Sequence, residues 1–174
     1  MLKLNPALDI DMTIIIDKLV HELGETLLRT CVMYLNDLQL AEDAVQDTFI
    51  KVYQNYSKFN NKSSIKTWVT RIAINVCKDY LRKNKVDIID GDNILNQISS
   101  NYGVEGIIED NQLVEVIMGM PVKYKDVIIL YYYLELKTKE IANVLAVPNA
   151  TVSIRLKRAK ELLKFNLKGW DIDE

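Results

Sequence analysis

The stretch Thr138–Leu163, TKEIANVLAVPNATVSIRLKRAKELL, decides the fold. Thr138 can cap a short helix over Lys139–Leu145, with Ala142 on its inner face. Val147-Pro148-Asn149 is a turn, because proline cannot continue a helix and pushes the residue before it out of helical geometry. A second helix follows from about Ala150 to Asn166. Its apolar positions Val152, Leu156, Ala159, Leu162 and Leu163 recur at helical spacing. A short helix, a tight turn and a basic second helix make a helix-turn-helix. Such a second helix fits the major groove, with side chains for base edges at its start and cations for phosphates further along. Here Asn149, Thr151, Ser153 and Ile154 stand at the start, and Arg155, Lys157, Arg158 and Lys160 follow. Thr and Ser can hydrogen-bond bases or phosphates, whereas Ile offers only apolar contact, for example with a thymine methyl. A plain helical hairpin with a basic face is the competing reading. The joint presence of turn, small residues and basic run favours DNA binding.

Working outward, residues 112–119 begin another helix, which Met120-Pro121 ends. DVIILYYYLEL, residues 126–136, is β-branched and aromatic and could be a buried strand by local propensity. No second strand-like run exists to pair with it, so the expectation is a helix buried on most of its circumference. Residues 14–35 place Ile15, Leu19, Leu23, Leu27, Cys31 and Leu35 four apart, widened by Val20, Leu28 and Val32, which predicts an amphipathic helix. Asn36 and Asp37 break it. Residues 40–56 repeat the pattern through Ala41, Ala44, Val45, Thr48, Phe49 and Val52, with Glu42, Asp43, Gln46, Asp47 and Lys51 opposite. After the polar break SKFNNKS, residues 57–63, Ser64 can cap a third helix. Its apolar positions are Ile65, Trp68, Val69, Ile72, Val76 and Leu81, and its polar face carries Lys66, Arg71, Asn75, Lys78 and Arg82. Exposed aromatics among such cations could stack on unpaired bases. By helical phase Trp68 belongs to the core, whereas Phe59, in the polar loop, is the better candidate for exposure.

The chain has 174 residues, 49% apolar and 26% charged, with six Gly and three Pro. That balance suits a folded, helix-rich protein of one ordinary domain or two small ones. No apolar run approaches the roughly 20 residues that span a bilayer, and the acidic start MLKLNPALDIDM is unlike a signal peptide, so a cytoplasmic protein without membrane insertion is expected. Cys31 and Cys77, far apart and within apolar patterns, read as buried free thiols. His21 reads as an ordinary helix-surface histidine. No glycine-rich phosphate loop, nucleophile elbow, HExxH or Cys/His cluster is present, so no enzyme, metal or cofactor is expected. The net charge of −2 conceals strong segregation: −5 over residues 1–57, +7 over 58–85, −7 over 86–115 and +5 over 150–168. Two basic blocks divided by an acidic stretch are what a two-point grip on phosphates requires. The alternative is two solvated helix faces.

The blocks DAVQDTF (43–49), SSIKTWVTRIAINVCKDYLRK (63–83) and TKEIANVLAVPNATVSIRLKRAKELL (138–163) together resemble the extracytoplasmic-function (ECF) subgroup of bacterial sigma factors. The resemblance covers most of residues 14–165. It implies an all-α protein of two small helical domains joined by an acidic flexible linker. These are region 2 over about 8–85, the linker over 86–111, and region 4, the helix-turn-helix, over about 112–168. It further implies a transcription initiation factor that binds core RNA polymerase and promoter DNA and has an anti-sigma partner. Asp43, Gln46 and Asp47 match the surface that docks on the β′ coiled coil. Asn61, Lys62 and Ser63 of the loop, with Arg71, Asn75, Lys78 and Arg82 of the helix, match positions that hold the unwound −10 element. Thr151, Ser153, Ile154, Arg155, Lys157 and Arg158 would meet the −35 duplex, and residues 126–136 would lie near the β flap. Where the family usually reads Thr-Val-Lys/Arg-Ser-Arg, this chain reads Thr-Val-Ser-Ile-Arg. The acidic linker could mask the basic blocks in the free chain. A conventional helix-turn-helix activator or repressor is the alternative, but it leaves the basic block 58–85 without a role.

Overall fold

In the computed structural model residues 6–87 and 111–167 are described. Seven α-helices follow one another: α1 (Pro6–Leu35), α2 (Leu38–Asn55), α3 (Ile65–Asp87), α4 (Asn111–Gly119), α5 (Val122–Ile128), α6 (Thr138–Leu145) and α7 (Asn149–Asn166). There is no strand among the described residues. The sequence from Asp126 to Leu136 is helical, as the missing strand partner required. The helix widens after Ile128 into a π-type turn, Ile129–Tyr133. Lys125 to Leu130 are successive buried positions that together go round the helix, as expected of a helix buried on most of its circumference. Tyr131, Tyr132 and Tyr133, within the wider turn, are about two-fifths exposed.

Local chemistry sets the helix ends. Asn36 adopts a left-handed conformation, φ 52°. The Asp37 carboxylate then accepts the Leu40 N–H at 2.9 Å and starts α2. Ser64 caps α3 by accepting the Thr67 N–H at 3.1 Å. The start of α6 lies one residue from the predicted cap. Lys137 holds the cap position, and Glu140 reaches back to accept its N–H at 3.0 Å. Glu140 thus does the work assigned to Thr138, which is the first helical residue. Helix α6 ends at Ala146 in the left-handed region, φ 53°. Glycine is usual there, and alanine sustains the turn at a cost of about 1 kcal/mol. Pro148 follows, and its carbonyl accepts from Thr151 and Val152 to open α7.

Packing joins α1, α2 and α3 through Leu19, Leu27, Phe49, Val52, Val69 and Ala73. A larger cluster runs from Cys31, Val32, Tyr34 and Ile74 into Ile117, Met120, Val127–Leu130, Ile141, Val152 and Leu156. The N-terminal and C-terminal helices therefore share one core. Val20, placed on the inner stripe by spacing, is 44% exposed. Cys31 and Cys77 are free and buried, as expected. The acidic linker 86–111 and its masking role fall, except at its two ends, outside the described residues. No helix among the described residues is long and apolar enough to cross a membrane.

Candidate nucleic-acid interface

Helix α7 buries Val152, Leu156, Ala159 and Leu163 on one side. That phase turns Ser153, Ile154, Lys157 and Arg158 outward, with Thr151 and Arg155 half-buried at the edge. The six residues predicted for duplex DNA thus share one end and one side of a single helix, behind the turn at Ala146–Pro148. Ile154 is 56% exposed, an apolar contact offered to solvent. Among the described residues no carboxylate forms an ion pair with Arg155, Lys157 or Arg158. Arg158 does hydrogen-bond Tyr124, which holds that phenol below its ordinary pKa. Lys160 lies 5.7 Å from the Tyr132 ring centre, a cation–π contact that braces α7 against the π-type turn.

The second candidate surface is the loop before α3 and the outer face of α3. Asn61 takes a left-handed conformation, φ 57°, and the Asn60 side chain accepts the Lys62 N–H at 3.3 Å. The loop is thereby curled so that Lys62 and Ser63 border a polar depression with Phe59, Trp68 and Arg71. Phe59 is half-buried, its ring 5.1 Å from Trp68, rather than standing free in the loop. Tyr56 closes the cluster at 6.4 Å from Trp68. Tyr56 stands three residues before Phe59, one turn of 3-10 helix away, and that spacing is the sequence signal for the cluster. Arg71, Asn75 and Arg82 are exposed along α3. Lys78 and Arg82 are not left to solvent alone. Lys78 Nζ donates to Asp126 at 2.8 Å, and Arg82 pairs with Asp79.

Helix α2 presents the third set. Asp43 and Gln46 are exposed, while Asp47 is half-buried and accepts from the Tyr80 hydroxyl at 3.0 Å. Burial, and then that hydrogen bond, push Tyr80 up to about 12. Ile50 and Tyr53, 54% and 46% exposed, extend the same face. They sit four and seven residues beyond Gln46, so helical periodicity could have found them. Among the described residues no group of three His, Cys, Asp or Glu is arranged to hold a metal ion.

An all-helical chain with a helix-turn-helix, a second cationic surface lined with aromatics and an acidic face on α2 defines a class: a DNA-binding factor of transcription initiation. Residues 19–86 match the family model described as Sigma-70 region 2, and residues 110–163 match Sigma-70, region 4. The chain is 31% identical to the ECF RNA polymerase sigma factor SigW of Bacillus subtilis, over 79% of this chain and 81% of that protein. It is 29% identical to SigM of the same organism, over 76% and 89%. The fold is similar to that of the sigma factor RpoE from Bartonella quintana, solved with the anti-sigma factor NepR: TM-score 0.70, 22% identity, 88% of this chain and 99% of that one. The chain belongs to the sigma-70 family and is an ECF sigma factor, which directs promoter-specific transcription initiation.

Proposed function

We propose a division of labour among the three surfaces. Residues 8–85 dock on core RNA polymerase and hold the −10 element, residues 112–168 read the −35 element, and residues 86–111 connect them. On α2, Asp43, Gln46 and Asp47, extended by Ile50 and Tyr53, meet the β′ coiled coil. Asn61, Lys62 and Ser63 receive a base extruded from the −10 element, and Arg71, Asn75, Lys78 and Arg82 hold the phosphates of the displaced strand. Opening a step of duplex costs a few kcal/mol in lost stacking, and a pocket plus cations offsets that cost. Thr151, Ser153, Ile154, Arg155, Lys157 and Arg158 contact the −35 duplex, with the region 126–136 beside the β flap. The protein acts by binding, without catalytic residues, in the cytoplasm. By analogy with the sigma factor RpoE of Bartonella quintana, solved in complex with the anti-sigma factor NepR, it too is held by such a partner.

One observation carries this reading. The outward side of α7 offers its base-facing and phosphate-facing groups together, over an apolar side that is fully committed to the core. A free-standing activator or repressor accounts for α6 and α7 but gives no role to residues 19–86. The test is run-off transcription with core polymerase on a genomic fragment library, with and without the protein. New, discrete start sites that need the protein support the proposal. Unchanged start sites, with no association with core enzyme, refute it.

A further inference from the structure

Helix α7 changes character along its outward side. Its first two turns carry Asn149, Ala150, Thr151, Ser153 and Ile154, all compact and none of them buried. Arg155, Lys157, Arg158 and Lys160 follow, each on a long stem. Compact side chains let the start of a helix lie close to the floor of the major groove, while long cations reach back to the phosphates. Short residues are therefore the ones that meet base edges here.

Among them Ile154 stands apart. It is 56% exposed, whereas Val152 and Leu156 on either side of it are buried, so the core of the helix does not use it. A single exposed apolar side chain is ordinary on a protein surface, and exposure alone assigns nothing. Position does. Ala150 lies one turn earlier on the same side and is also exposed. The two form a narrow apolar strip, with Ser153 and Lys157 along one edge and Thr151 and Arg158 along the other. The edges can answer donors and acceptors, and the strip cannot. On the floor of the major groove the apolar group is the C5 methyl of thymine. Both purines show acceptors there, and adenine and cytosine show an amino donor. A purine edge turned toward Ile154 gives up water without gaining a partner, which lowers affinity. A thymine methyl turned toward it is buried against an aliphatic surface, which raises affinity. Attraction to one base and a penalty for the others act in the same direction, and specificity is that difference.

We propose that Ile154, with Ala150 beside it, is a specificity-determining site that requires a thymine in the −35 element and recognises it by its methyl group. The inference rests on the −35 role proposed for α7 and adds which chemical group is read there. A serine at this position, as the family usually has, would accept or donate a hydrogen bond and would not single out a methyl.

The test uses the full chain assembled with core polymerase, on promoter duplexes whose upstream segment is randomised. Bound duplexes are sequenced. Each thymine of the enriched −35 sequence is then replaced singly by deoxyuridine, which keeps the pairing and removes only the methyl. One such replacement is expected to weaken binding by the wild-type chain about fourfold, the worth of one buried methyl group. Ile154→Ser is expected to bind thymine and deoxyuridine equally at that position, and Ile154→Val to keep most of the difference. Ile154 lies off the core, so both variants should keep the helical signal of the wild-type chain. A loss caused by altered DNA shape would persist in Ile154→Ser, and such persistence overturns the proposal. So does an enriched sequence in which no deoxyuridine weakens wild-type binding. If no −35 sequence is enriched at all, the role of α7 fails together with the proposal, whereas enrichment without dependence on a methyl removes the methyl reading alone.

Discussion

Helices α3 and α7 carry nearly the same positive charge and spend it differently. Six Lys and Arg lie in α3 and five in α7. On α3 two of the six cations are engaged within the protein. Lys78 holds Asp126, Arg82 holds Asp79, and Lys51 of α2 approaches Asp79 at 3.8 Å. On α7 the outward cations face solvent, and its one acid, Glu161, forms no recorded ion pair among the described residues. The packing differs in the same sense. Helix α3 touches α1, α2 and α6, whereas α7 rests on α4, α5 and α6. A count of cations therefore does not measure what a helix can offer to DNA. What matters is how many of those cations already answer to a carboxylate of their own chain.

The largest effect should come from breaking the packing side of this contrast. Ile74 of α3 is 1% exposed and belongs to the core shared by both units. Ile74→Ala removes three carbons from that core and should cost about 2–5 kcal/mol. That is a large part of the roughly 5–15 kcal/mol typical of a folded domain. Urea unfolding followed by helical signal should show the whole transition moving to lower denaturant. Val152→Ala removes two carbons from the inner side of α7 and should move it less. If the α7 substitution shifts the full transition as far as the α3 one, Ile74 is no more central to the shared core than Val152.

The contrast also marks what could be read from sequence. The helix-turn-helix was legible because its signals are local: a proline turn, an apolar repeat and a basic run within 26 residues. The faces of α2 and α3 followed from periodicity in the same way. Ala146 was missed because nothing in its type requests a left-handed turn. The exposure of Tyr131–Tyr133 was not legible because apolar and aromatic residues fill Val127–Leu134 with no period that marks where burial ends. Phe59 was expected to be free because its partners, Tyr56 and Trp68, were read separately. The Asp126 contacts could not be read at all. Tyr34 and Lys78 lie 92 and 48 residues away from it, and no local period relates them. Charge segregation identified the cations but not the single acid that one of them meets.

A charge exchange sharpens the electrostatic side. Arg155, Lys157 and Arg158 to Gln should remove most duplex binding by the free chain. The slope of log affinity against log salt should fall by about three, near one for each lost phosphate contact. The same treatment of Arg71, Lys78 and Arg82 should alter duplex binding by the free chain by no more than about twofold, since two of these three are engaged internally. With core polymerase the order should reverse, and the α3 triple variant should fail to open promoter DNA in a permanganate footprint. Equal salt slopes for the two triple variants in the free chain would erase the distinction between them.

The smallest effect tests whether α3 also steadies the side of α2 proposed to meet polymerase. Tyr80 of α3 donates to Asp47, and the bond is only partly buried. Tyr80→Phe should therefore cost about 0.5–1 kcal/mol at neutral pH, at the low end for a hydrogen bond to a charged group. The pH dependence gives a more selective readout. Burial and Asp47 raise the Tyr80 phenol to about 12 in the folded chain, against about 10 when unfolded. The folded state thus keeps its proton where the unfolded state loses it. That contribution is complete below about pH 10 and is lost as pH rises from about 10 to about 12. Tyr34 acts in the same direction, through burial and Asp126. Stability of the wild-type chain should fall steeply above about pH 10, and Tyr80→Phe should make the fall shallower without removing it, because Tyr34 remains. Urea midpoints measured on either side of pH 10 would show this. An unchanged alkaline slope in Tyr80→Phe would mean that Asp47 is not held by α3, and that the acidic face of α2 stands without support from the helix behind it.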